Sequence, residues 1–247
     1  IEDAFWEACP WGPEDFEFLK IRLVRTDEPD PESNEQAVAI LKISVKDPDE
    51  KKVGRAFSNA VGELGLSTIP GFFGVGGGPR GGRAFGVYEP ARIPAATVPQ
   101  EVVMLGGGVK EISSVIPDEQ VVVRPTPGPA AAVPGGPTRR VPLGVLFGSR
   151  SGDKGGNANL GIFARSDEAW AWLDKYLTID RLKELLPETA GLPVDRHPLA
   201  SLRSVNFLIH GILEEGVAAS TRQDPQAKSL GEWLRAREAD IPEALLP

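Results

Sequence analysis

The chain has 247 residues, 41% of them hydrophobic and 25% charged, with a formal net charge of −8 and a pI near 5.0. That balance is globular, its sign disfavours phosphate backbones, and no run approaches the ~20 apolar residues of a bilayer crossing. The composition therefore argues against disorder, nucleic acid and membrane insertion, and one cysteine, Cys9, leaves no internal disulfide.

A soluble protein of a reducing, cytoplasmic compartment fits these limits. The chain opens at Ile1 rather than Met, and its first residues already resemble a domain interior, so a processed or truncated chain is expected. Phe16 to Arg25 and Ala37 to Val45 are rich in Ile, Leu and Val with partial alternation, which predicts two strands around a polar turn, Asp27 to Asn34. Asp47, Pro48 and Glu50 then form an N-cap, first-turn proline and capping-box series. A helix is predicted from there, with Val53, Phe57, Ala60, Val61 and Leu64 at helical spacing and Gly65 closing it. A glycine-rich run, Gly74 to Gly82, precedes two further strand-like runs, Ala84 to Tyr88 and Glu101 to Leu105.

Pro125 to Pro137 holds five prolines, three glycines and no large side chain except Val133, so it cannot pack a core. It predicts a linker over residues 125–140 between a first module, 1–124, and a second, 141–247. The second module is expected to open with the strand Leu143 to Phe147, cross a polar loop, Gly148 to Asn159, and return as the strand Leu160 to Ala164. Ser166 caps a helix carrying Trp170, Leu173 and Leu177, and Thr178 caps another carrying Leu182, Leu185 and Leu186 before Pro187 ends it. In the strand Ser204 to His210, alternation puts Val205, Phe207 and Ile209 on one face and Asn206, Leu208 and His210 on the other. Asp224-Pro225 starts a last helix that turns Ala227, Leu230, Trp233 and Leu234 inward. The class is α/β (α+β) in two modules.

The densest polar chemistry lies in Arg150-Ser-Gly-Asp-Lys-Gly-Gly-Asn-Ala-Asn159, where glycines let backbone N–H groups approach a ligand. A P-loop is rejected, since Asp153 stands where glycine is needed and Gly155 where Ser or Thr should hold magnesium. The bland alternative is that Arg150, Asp153 and Asn159 only organise a hairpin loop. Arg80 and Arg83 give the glycine-rich run a phosphate-cradling reading, against that of a plain flexible loop. His197 and His210 are the two histidines and form no His-Glu-x-x-His pair, so no zinc site is expected. His210 serves either as acid or base beside the polar loop or as a hydrogen-bonded structural residue. No Gly-x-Ser-x-Gly elbow supports a hydrolase.

Three motifs in order, Arg-Ser-Gly-Asp-Lys-Gly-x-x-Ala-Asn-x-Gly161, Asn206-Phe-x-x-His210-Gly and Ala-Lys-x-Leu-Gly231, make the second module resemble the C-terminal ferredoxin-like domain of the AtuA (acyclic terpene utilisation) family. The first module is similar to the end of the larger domain that precedes it in that family, whose full-length members carry a long upstream portion. The resemblance implies a ferredoxin-like α/β sandwich and a role in the breakdown of branched-chain or acyclic terpenoid acyl-CoA compounds.

Two functions follow. In the first, an acyl-CoA hydratase- or lyase-like enzyme, Asp153 or His210 moves a proton. Arg150, Ser151, Gly152, Lys154, Asn157 and Asn159, with Arg80 and Arg83, hold the anionic or carbonyl groups of a small-molecule acyl-CoA-type substrate, with no metal or other cofactor. In the second, the module is a noncatalytic assembly element of a homo-oligomer or of a complex with another subunit, and shows a more apolar exposed sheet face.

Overall fold

Alternating Ile, Leu and Val drive the first pairing. Strands β1 (Phe18–Arg25) and β2 (Ala39–Lys46) run antiparallel with Phe18 opposite Lys46 and Arg25 opposite Ala39. The computed structural model describes residues 1–75, 78, 80–113 and 131–247 and divides them into two compact units, Ile1–Phe85 and Gly86–Pro247. In the first unit, helix α1 (Glu2–Ala8) packs on helix α2 (Arg55–Glu63) through Phe5, Cys9, Ala60 and Leu64, with Phe57 and Ile43 against that cluster. A two-stranded sheet buries too little by itself to be stable in water, and this helical cover supplies the remaining burial.

Helix α2 begins later than Asp47. Asp47 accepts from the backbone N–H groups of Asp49 at 2.9 Å and Glu17 at 3.2 Å, so its carboxylate closes a turn, and the helix starts after Gly54. An Asp-Pro pair serves either purpose, because both use the same side-chain oxygen to satisfy nearby N–H donors. Val61, expected on the apolar stripe, is 41% exposed.

In the second unit, β3 (Gln100–Val103) and β4 (Val109–Ile112) make an exposed hairpin. Ala84 to Tyr88, at the boundary between the units, forms no strand. Residues 125–130 of the Pro/Gly run lie outside the described residues, as do 76, 77 and 79 of the glycine-rich run. Residues 131–137 belong to no helix or strand. Next comes β5 (Thr138–Pro142), which pairs antiparallel with the last strand of the chain; Leu143 to Val145, expected in a strand, forms a 3-10 turn.

The predicted polar loop is the largest departure. Gly148–Lys154 is strand β6 and Asn157–Phe163 is strand β7, joined by a two-residue turn at Gly155 and Gly156. Helices α3 (Asp167–Tyr176) and α4 (Ile179–Leu185) follow, each capped as expected: Ser166 Oγ accepts from Ala169 N at 3.2 Å and Thr178 Oγ1 from Arg181 N at 3.1 Å. Strand β8 (Val194–Leu199), which the sequence does not announce, pairs with β9 (Ser204–Ile209). The sheet order is β6-β7-β9-β8, antiparallel throughout. Helix α5 (Leu230–Ala236) then packs on β6, and β10 (Glu238–Pro242) closes against β5.

One face of this sheet carries the core. Ala158, Leu160 and Ile162 of β7 lie opposite Ile209, Phe207 and Val205 of β9, all fully buried, and join Leu173, Leu177, Leu182 and Leu186. Phe147, Trp172 and Tyr176 stack at its margin, with centroids 5.7 and 4.3 Å apart. Period-two alternation turns the intervening residues to the other, open face. The class is α/β, with the helices on one side of the four-stranded sheet.

Candidate functional site

Register decides which polar residues can meet. In β6, Ser149, Ser151 and Asp153 lie opposite Ile162, Leu160 and Ala158 and share their covered face, whereas Arg150, Gly152 and Lys154 lie opposite Gly161, Asn159 and Asn157 on the open one. The motif thus splits by parity, and Asp153 stands on the other side of the sheet from Arg150 and Asn159.

On the covered side, Ser151 Oγ accepts from Gly231 N at 2.9 Å and donates to Lys228 O at 3.2 Å, fastening the start of α5 to the edge strand. Lys228 Nζ lies 3.8 Å from Asp153 Oδ1, a partly exposed pair worth little by itself, and 3.0 Å from where a Cβ at Gly152 would stand, at the edge of the open face. A Cβ on Gly231 would lie 2.6 Å from Ser149 Oγ and 3.3 Å from Ser149 Cβ, so a larger residue there would have to turn the Ser149 hydroxyl aside. Asp224, read from sequence as the start of the last helix, instead accepts from Lys228 N at 2.9 Å and from Ser229 N and Oγ at 2.8 Å; the helix begins six residues later. Burial opposes ionisation of Asp224, but these donors and Arg222 outweigh it and hold its carboxyl below the usual range.

The turn between the two motif strands is also a packing device. Gly155 has φ +64°, and a Cβ there would lie 2.4 Å from the Tyr88 ring; a Cβ at Gly156 would lie 2.2 Å from Glu214 O. Leu213 N donates to Gly156 O at 2.9 Å, and Gly211 N donates to Asn157 Oδ1 at 2.9 Å. Two of the three sequence motifs are therefore joined at Asn157 and Gly211, and the first and third at Ser151 and Gly231.

The open face presents a different chemistry. One row across the strands reads Arg150, Gly161, Asn206, His197, and the next reads Gly152, Asn159, Leu208, Asp195. Asn159 Nδ2 donates to Asn206 Oδ1 at 3.3 Å. The guanidinium of Arg150 and the imidazole of His197 are exposed and make no hydrogen bond or ion pair with the described residues. His210 follows Ile209 beside Asn157, and its Nε2 lies 2.8 Å from Asp195 Oδ2. Phe163 and Leu199, each about 40% exposed, give one end of this face an apolar margin.

Of the residues singled out from sequence, the structure gathers Arg150, Asn159 and His210 on the open face, with Asn157 turned into the loop anchor. Lys154 is exposed and donates to Asp153 O at 2.9 Å. Arg80 and Arg83 are exposed in the first unit, and Arg80 O accepts from Ser58 Oγ at 2.8 Å. Sequence reasoning passed over Asp195, because β8 was unrecognised, and Lys228, although it stands in the third motif. Among the described residues no helix is long and apolar enough to cross a membrane.

Comparison with known families yields two matches. A model described as acyclic terpene utilisation family protein AtuA covers residues 1–104, and one described as AtuA ferredoxin-like domain covers residues 141–240. No curated protein and no solved structure matches the chain.

Proposed function

Because the chain belongs to the acyclic terpene utilisation family, we propose that it acts in the breakdown of branched or acyclic terpenoid acyl-CoA compounds, and that the open face of its C-terminal sheet receives the acyl thioester. The observation that supports this most is the composition of that face: a guanidinium at Arg150 without a hydrogen bond or ion pair among the described residues, the carboxamides of Asn159 and Asn206, the His210 imidazole, and an apolar margin at Phe163 and Leu199. An acyl thioester joins an anionic carrier, a carbonyl and an apolar tail. Guanidinium N–H groups bind the first, amide N–H groups the second and exposed apolar side chains the third.

A hydratase- or lyase-like step needs a proton acceptor and a donor for the developing oxyanion. His210 is suited to the first role. The amide N–H groups of Asn157, whose Oδ1 accepts from Gly211 N and which donate to none of the described residues, suit the second. Asp153, which strand parity puts on the covered side and whose Oδ1 lies 3.8 Å from Lys228 Nζ, fits a structural role better than proton transfer.

A second reading rests on a separate observation: Ser151, Gly155, Gly156 and Asn157 all fasten parts of the unit together. On that reading the module serves assembly, in a homo-oligomer or with another subunit. A surface devoted to subunit contact would be more apolar than this face. Calorimetric titration with a panel of branched acyl-CoA compounds tests the choice: saturable binding that Arg150→Met weakens supports the ligand site, and absence of binding by the unmodified protein defeats it.

A further inference from the structure

Asp195 lies within β8, and His210 is the residue that follows β9, where the chain turns towards Gly211. His210 N donates to Pro193 O at 3.0 Å, continuing the β8–β9 ladder, and Asp195 lies opposite Leu208 in that ladder. Their side chains meet at 2.8 Å between Nε2 and Oδ2, on the open face and partly exposed to solvent. An ionised carboxylate can only accept a hydrogen bond, so Nε2 must carry the proton in this contact. In the neutral imidazole the lone pair then belongs to Nδ1, which has no partner among the described residues.

We propose that Asp195 is the positioning residue that fixes His210 in the Nε2–H tautomer and thereby makes Nδ1 a proton acceptor on the open sheet face. This rests on the reading of that face as the acyl-thioester site. When Nδ1 takes a proton from a bound acid, the ligand keeps the bonding electron pair and gains one negative charge. The imidazole becomes an imidazolium, and the carboxylate at Nε2 offsets its charge. The neighbouring carboxamides of Asn157 and Asn159 can stabilise the anion so formed. His197, two residues beyond Asp195 on the same strand, has no such carboxylate contact among the described residues and is the internal contrast.

The test needs no ligand. With two histidines in the chain, nitrogen-15 NMR of the imidazoles, assigned with His197→Gln, reads the tautomer of each ring directly. In the unmodified protein the neutral His210 ring is expected to show a protonated Nε2 and an unprotonated Nδ1. Asp195→Ala should turn this into a mixture of tautomers while the amide signals of β8 and β9 stay in place, and Asp195→Glu should restore part of the bias. A His210 tautomer that is the same with and without Asp195, or a protonated Nδ1 in the unmodified protein, overturns the proposal. Failure of the acyl-thioester reading would show separately, as absent binding in the calorimetric titration with the tautomer bias intact.

Discussion

Ser151 and Gly231, eighty residues apart in the chain, are joined by a hydrogen bond of 2.9 Å from the Gly231 amide to the Ser151 hydroxyl. The same hydroxyl donates to the Lys228 carbonyl, so one side chain satisfies two backbone groups where α5 meets β6. Ser151→Ala strands both and should cost about 1–2 kcal/mol. Lys154→Ala, which removes an exposed side chain three residues on, should stay within ~0.5 kcal/mol. Denaturant midpoints of the two variants separate them; equal losses would mean that α5 is held by something else.

The core of the C-terminal unit draws Leu182 from α4 and Phe207 from β9 into one cluster, both fully buried. Leu182→Ala should destabilise by about 2–5 kcal/mol, through lost burial and the cavity left behind. Leu202→Ala, at a position 67% exposed, should change stability by less than ~0.5 kcal/mol. Thermal and denaturant unfolding of the two report the contrast.

The turn at Gly156 has no room for a methyl group against the Glu214 carbonyl. Gly156→Ala should cost about 1–3 kcal/mol by overpacking. Gly191→Ala, where a Cβ would meet nothing within 4 Å, is the matched control. If the two variants melt together, the turn does not press on the loop after Gly211.

Acid stability should carry a signature of Asp224. Its carboxyl titrates below the usual range in the folded protein, because its backbone and hydroxyl donors outweigh the effect of burial. The stabilisation it gives is therefore complete above the unfolded value of about 3.9 and is lost as pH falls through the lower folded value. Asp224→Asn, which keeps one acceptor oxygen but does not titrate, should flatten that part of the profile. Unfolding curves at a series of acidic pH values measure it.

Ligand binding should distinguish Arg150 from Lys154, although both project from β6 on the open side. If Arg150 grips the anion, Arg150→Met loses a charge-assisted contact of about 1.5–3 kcal/mol, on the order of 10- to 100-fold in Kd. Arg150→Lys should recover only part of this, because an ammonium lacks the two-pronged geometry. Lys154→Met should leave the affinity nearly unchanged. Added salt should weaken binding by the unmodified protein. Titration calorimetry of these variants with one branched acyl-CoA decides among the outcomes.

Local rules carried part of the reading. Ser166 and Thr178 are legible as caps because a cap is made within four residues, and the alternation of Val205, Phe207 and Ile209 names its own buried face. The motif between Gly148 and Asn159 reads as a loop because glycines and polar groups occupy both faces of its strands. Only pairing with β9 and packing under α5, contacts distant in sequence, make it a hairpin. Strand β8 carries Asp195, Arg196, His197 and Pro198 in a row, with no apolar alternation to mark it. It lies at the sheet edge, where a proline is tolerated and one partner suffices. With β8 invisible, Asp195 could not be placed beside His210. The candidate site was thus legible as a set of residues but not as a surface, since parity across strands decides which of them face the same way.

The pairing of β5 with β10 has a mechanical consequence. Thr138 lies opposite Pro242, so chain entering this part of the protein and chain leaving it emerge side by side, at strand separations of about 4.8 Å. Glu243 N also donates to Pro137 O at 3.0 Å, so tension transmitted along the polypeptide would meet that bond first and then the ladder one pair at a time from Thr138 and Pro242, instead of loading all of them together in shear. The two strands would peel open like a zipper before force reached the four-stranded sheet, leaving the open face and its Arg150 row intact while the ends separate.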